Sequence, residues 1–111
     1  MRVIVFKDRC DRVIQIVFEE DRTRAVAYHH DEPVGELRIG INDDSVNAVA
    51  TLLNVCVEPA YRRSGIAHTL LAYASREIGQ PIRVDLPAPP DLFAFETLFR
   101  CLSSEGILVL A

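Results

Sequence analysis

No apolar run in this sequence approaches the ~20 consecutive residues needed to cross a bilayer as a helix. The apolar start at residues 3–6 is too short for a signal peptide, so a cytoplasmic chain without membrane contact is expected. Basic residues are the minority charge. Twelve Lys+Arg against sixteen Asp+Glu leave a net charge of −4, which argues against nucleic acid as a partner, because binding a phosphate backbone requires a basic face. Cysteine is scarce and odd in number: Cys10, Cys56 and Cys101 form no CxxC and no Cys/His cluster, which signals neither a disulfide framework nor a zinc site. His29 and His30 are adjacent, and neighbours on a strand point to opposite faces, so they read as solvated loop-edge histidines and no metal is expected. Glycine and proline together number only 11 in 111 residues, which excludes collagen-like and low-complexity disordered chains.

What is present fits one domain, residues 1–111, with half its residues hydrophobic. Residues 2–6 read as a strand. Residues 13–18 are nearly all apolar, a run that fits a strand or a short helix. Residues 24–29 and 34–41 flank the turn-forming Asp31-Glu32-Pro33 and predict an antiparallel hairpin. Residues 46–57 are apolar on both alternating faces, as in a central strand covered on each side. A helix is predicted from near Gly65, with Ile66, Ala67, Leu70, Leu71, Ala74 and Ile78 at helical spacing and Gly79 and Pro81 ending it. Residues 82–86 read as a buried strand. Asp91 is the expected N-cap of a second helix carrying the stripe Leu92, Phe95, Phe99 and Leu102, with Glu96 and Arg100 paired on its flank, and residues 107–110 add a last strand. This order predicts an α+β fold: a mixed, mostly antiparallel sheet with helices packed on it.

One segment carries chemistry: Val55-Cys56-Val57-Glu58-Pro59-Ala60-Tyr61-Arg62-Arg63-Ser64-Gly65-Ile66-Ala67. It passes from an apolar strand through a short turn into a helix, whose first amides are unpaired and form a natural anion site. Gly65 lets an anion approach the main chain, and Arg62 and Arg63 add positive charge, so a phosphate or pyrophosphate is the natural guest. The segment has no Gly-Lys-Ser/Thr of a Walker loop and lacks two of the three glycines of a dinucleotide fingerprint.

Arg62-Arg63-Ser64-Gly65-Ile66-Ala67 resembles the acetyl-CoA motif of the GCN5-related N-acetyltransferases (GNAT superfamily), Arg/Gln-x-x-Gly-x-Gly/Ala. Val57-x-Pro59 before it and Leu70-Leu71 with Ala74 after it agree, and the resemblance covers roughly residues 24–106. It implies a central strand–phosphate loop–helix–strand unit in a reduced member lacking the usual helix pair between the first two strands. It further implies that main-chain amides of Arg63, Ser64, Gly65, Ile66 and Ala67, with His68, hold the CoA pyrophosphate. Main-chain groups of Val55, Cys56 and Val57 would pair with the pantetheine arm in a gap beside the strand at 82–86.

The implied reaction is direct attack of an amine on the thioester in a ternary complex, with acetyl-CoA as cosubstrate and a small-molecule or protein amine as acceptor. A backbone N–H near Val57 would serve the carbonyl oxygen. The family's helix tyrosine, its usual acid, has no counterpart: the last helix carries Phe99. Thr51 stands where some members carry a strand glutamate, so the catalytic residues are left unassigned. Glu58 reads equally as a base acting through water or as a turn residue, and Tyr61 as packing. Cys56 lies where a thioester would pass, but a buried, inert cysteine is the expected state. The same fold without catalysis, an acyl-CoA-binding or protein-interaction module, is the alternative. Edge strands at either end of the sheet are compatible with a homodimer.

Overall fold

A computed structural model describes residues 2–19, 23–42, 49–85, 92 and 95–110. Among the described residues seven strands form one sheet in the order of the sequence: β1 (Arg2–Lys7), β2 (Val13–Phe18), β3 (Arg24–His29), β4 (Glu32–Asn42), β5 (Val49–Val57), β6 (Ile82–Val84) and β7 (Leu108–Leu110). The first five are antiparallel neighbours, whereas β5, β6 and β7 are parallel and are linked by α1 (Ile66–Ile78) and α2 (Glu96–Ser104). The mixed sheet agrees with the α+β reading. Residues 13–18 are a strand rather than a helix: Ile14, Ile16 and Phe18 are buried while Val13 and Gln15 are exposed, the period of two that pairing with both β1 and β3 demands. No α-helix precedes α1 among the described residues.

One sheet face is covered by α1 and α2. Ile66, Leu70, Leu71 and Ala74 of α1 meet Ile14, Ile16, Ala25, Ala27, Leu37, Ile39, Val55 and Val57, and Phe99, Leu102 and Leu108 extend the same core. At Gly35 on β4 an added Cβ would lie 3.3 Å from Ile66 and 3.4 Å from the Cys56 carbonyl, so glycine is what lets α1 lie close on the sheet. The other face bears no helix among the described residues, and Val3, Val5, Val13 and Leu53 stand exposed on it.

Several sequence expectations are corrected. The β3–β4 turn is His30-Asp31, with Glu32 and Pro33 already in β4: His29 pairs with Glu32, and both turn residues have left-handed φ (51° and 65°), the twist of a tight two-residue hairpin. That same twist swings His30 beside His29, with ring centroids 4.1 Å apart, where an extended strand would have separated them. β5 is buried on one face only. Arg38 pairs with Asn54 and Ile39 with Leu52, so Leu53 bulges out, 62% exposed, and the bulge shifts the inward phase from Ala50 and Leu52 to Val55 and Val57. α2 begins at Glu96, where Phe95 is the N-cap residue; the Asp91 cap lies outside the described residues, and no ion pair joins Glu96 to Arg100.

Candidate functional site

The site is built where β5 turns into α1. Val57 ends the strand, Pro59–Tyr61 form one 3-10 turn, and Arg62 is extended. Arg63 then takes a left-handed φ of 58° and Gly65 one of 93° before α1 starts. No side chain caps the helix. The first carbonyl to enter its ladder is that of Gly65, which accepts from Thr69 N–H (3.0 Å) and Thr69 Oγ1 (2.8 Å). The amides of Ile66, Ala67 and His68 consequently have no partner among the described residues. A Cβ built on Gly65 meets nothing within 4 Å, so the space in front of these amides is open to a ligand. Unpaired N–H groups and the helix dipole converge there on the position of an anion.

The ten residues expected to hold the cofactor come together, but their side chains divide. Val55, Val57, Ile66 and Ala67 are buried in the core and can offer only main chain. Ser64 is 1% exposed, and its hydroxyl donates to the Tyr61 carbonyl. Arg62 is exposed, but its Nε donates to the Val57 carbonyl at 3.1 Å, which bends the side chain back to brace the strand end. Arg63 is exposed and has no partner among the described residues, so it is the free cation of the turn. The imidazole of His68 lies 3.5 Å from the Glu105 carboxylate, which leaves its amide for a ligand. Cys56 is exposed, contrary to the buried state expected for it, because the Leu53 bulge puts Val55 and Val57 inward and Cys56 outward.

Among the described residues the only rung between β5 and β6 is Thr51↔Arg83, and Leu53 to Val57 continue beyond it. On the helix-free face a hollow of about 490 Å³ opens at this end of β5, lined in part by Tyr28, Glu36, Cys56, Glu58 and Arg62. The Glu58 carboxylate has no partner among the described residues, whereas Glu36 is held below the usual carboxylate range by hydrogen bonds from Arg38 and Arg24. Sequence reasoning did not single out Tyr28 or Glu36. Their signal was the alternation Arg24, Val26, Tyr28 on β3 and the Glu36↔Cys56 pairing across to β5. A larger hollow of about 890 Å³ lies between β1 and the flank of α1 and shares only His68 with the turn. Phe99 is 1% exposed, a core residue rather than a lining one, and no group of three metal-binding side chains exists among the described residues.

Comparison with known proteins agrees with this fold. The sequence model of the acetyltransferase (GNAT) domain matches residues 19–94. Among solved structures, an aminoglycoside N-acetyltransferase, AAC(6')-Iy, in complex with CoA is 20% identical over 83% of this chain and 59% of that one, with a TM-score of 0.59. Two aminoglycoside 6'-N-acetyltransferases, AAC(6')-IG from Acinetobacter haemolyticus and AAC(6')-Ih from Acinetobacter baumannii, are each 26% identical over 71% of this chain, with a TM-score of 0.55. The chain spans 59% of the length of each of these three structures. No curated protein sequence matches it significantly. With the family matched across the β3–β4 hairpin, the bulged strand, the β5–α1 turn and the helix after it, the chain belongs to the GNAT acetyltransferase domain family.

Proposed function

We propose that this domain binds acetyl-CoA at the β5–α1 turn and transfers the acetyl group to an amine. The observation that carries the reading is the set of amides at Ile66, Ala67 and His68 with no partner among the described residues, behind an open Gly65 and directly after β5. In this reading the amides of Arg63 to Ala67, with Arg63 and the helix dipole, hold the pyrophosphate. Main-chain groups of Val55, Cys56 and Val57 pair with the pantetheine arm as an added strand would. A bulge leaves a strand residue outside the ladder, so the Leu53 region joins Val57 as a source of the N–H that receives the thioester carbonyl oxygen.

The chemistry is amine attack on the carbonyl carbon, formation of the C–N bond and release of the CoA thiolate, with one proton leaving the nitrogen and one reaching the sulfur. Glu58, unpaired at the rim of the hollow, is placed to take the amine proton through water. Phe99 is sealed in the core and Thr51 has no basic group, so neither supplies the roles that tyrosine and glutamate fill elsewhere in the family. That observation also favours a second reading, a domain that binds acyl-CoA without turning it over. Calorimetric titration with acetyl-CoA and CoA, followed by thiol release on a panel of amines, separates the two. Binding with turnover supports the transferase, binding without turnover the binding module, and no binding by the folded chain refutes both.

A further inference from the structure

We propose that Arg12, oriented by Asp8, is a positioning residue for the anion turn, so that the β1–β2 hairpin shapes a cofactor site to which it contributes no ligand. The inference rests on the cofactor reading above and adds a part of the chain outside the motif that suggested it. The Asp8 carboxylate is fully buried and accepts from Arg12 Nε at 2.7 Å and from the amides of Arg12 and Cys10, each at 2.9 Å. The guanidinium so fixed donates through Nη1 to the Ala60 carbonyl at 3.1 Å and lies over the Tyr61 ring, 4.1 Å from its centroid. One residue into the hairpin turn, the Arg9 amide donates to the Ser64 carbonyl at 3.0 Å. From the far side His29 Nδ1 and the Tyr61 hydroxyl lie 2.6 Å apart, so Tyr61 is held on its face by Arg12 of the β1–β2 connection and at its tip by β3.

These contacts separate donors from acceptors. Around the turn the carbonyls of Val57, Ala60, Tyr61 and Ser64 are engaged, by Arg62, Arg12, the Ser64 hydroxyl and Arg9 respectively, while the amides of Ile66, Ala67 and His68 are unengaged. A loop with its carbonyls drawn one way and its amides left facing another is what anion binding requires, since a stray carbonyl dipole would repel the guest. The turn does not hold that shape unaided: Arg63 is a non-glycine residue at φ 58° and no side chain caps α1. The hairpin supplies the missing constraint through Arg12 on Ala60 and Tyr61 and through Arg9 on Ser64.

The test titrates the parent chain, Arg12→Met and Arg12→Lys with acetyl-CoA and, in parallel, with acetyl-pantetheine, which lacks the pyrophosphate. Arg12→Met should weaken acetyl-CoA binding about tenfold, the scale of one lost charge-assisted contact that organises a site, while acetyl-pantetheine changes less than about twofold. Arg12→Lys restores the charge beside Asp8 and should recover part of the loss. If the parent binds neither ligand, the cofactor reading falls and this inference with it. If the parent binds and Arg12→Met binds acetyl-CoA equally well, or loses both ligands in the same proportion, the positioning role alone is overturned. Should Arg12→Met fail to fold, Arg12→Lys and Tyr61→Phe, which removes only the hydroxyl facing His29, carry the same comparison.

Discussion

Two glycines bracket α1 in matching conformations, and together they separate strain from function. Gly65 at its start has φ 93° and Gly79 at its end φ 83°, and a Cβ built on either meets nothing within 4 Å. Alanine at each position therefore brings no clash, only the cost of a left-handed backbone, about 1–2 kcal/mol. For a domain of this size each kcal/mol lowers the melting midpoint by roughly 4–8 °C, so both variants should melt about 4–15 °C below the parent. Their effects on acetyl-CoA should differ. The Gly65→Ala methyl stands in the open space before the unpaired amides, where it displaces the pyrophosphate, and affinity should fall by at least about a hundredfold, or roughly 2.7 kcal/mol. Gly79 serves only the helix end, its amide donating to the Ser75 carbonyl at 2.9 Å, and Gly79→Ala should bind as the parent does. Thermal unfolding and calorimetry on the three proteins suffice. Undiminished binding by Gly65→Ala would refute the amide cradle. Equal losses in both variants would mean that affinity follows helix stability instead.

Two further substitutions address the acid side and the missing hydroxyl. Burial pushes the Asp8 carboxyl up, but hydrogen bonds from the Arg12 amide and guanidinium and the Cys10 amide outweigh it and hold Asp8 below its ordinary value of 3.8. A depressed carboxyl stabilises the fold above its unfolded value and loses that contribution as pH falls through the folded one. Urea titrations should therefore show parent stability declining from about pH 4 downward, and Asp8→Asn lacking that part of the slope while losing on the order of 3 kcal/mol at neutral pH by stranding Arg12. Phe99→Tyr restores the family's residue type but puts a hydroxyl into the core. It should cost about 1–3 kcal/mol with no gain in thiol release from acetyl-CoA, and a rate increase would show that this position does reach the reacting atoms.

Legibility in the sequence followed the range of the forces involved. The 24–29 strand and the helix ending at Gly79 were readable because alternation and the spacing of Ile66, Leu70 and Ala74 are local consequences of backbone geometry. The turn between β5 and α1 was readable because Pro59 and Gly65 stand close together in the chain. The Leu53 bulge was not: it exists only in the pairing with Arg38 and Ile39, and without it both faces of β5 look equally apolar, so Cys56 was expected to be buried. Two successive left-handed residues at His30 and Asp31 likewise escaped a reading that looked to Pro33 for the turn. Arg62 looked like a phosphate ligand from its neighbours, but the carbonyl of Val57 claims its side chain. The Asp8–Arg12–Ala60 contacts join parts of the chain 48 residues apart, a separation at which sequence pattern carries no signal.

The single rung between β5 and β6 among the described residues also has a kinetic meaning. From β1 to β5 each strand pairs with its successor through a short connection, so closing these ladders costs little loop entropy. The Thr51↔Arg83 rung closes only after α1 has formed and folded back, and β6 and β7 add just three residues each. Core packing of Phe99, Leu102 and Leu108 holds β6, α2 and β7 to the antiparallel part, while the β5–β6 seam has one rung among the described residues and is the first place where amides should open to solvent exchange. In the proposed reading, a thioester arm lying along β5 would add rungs to that seam. Cofactor capture and the last step of folding would then close the same gap in the sheet.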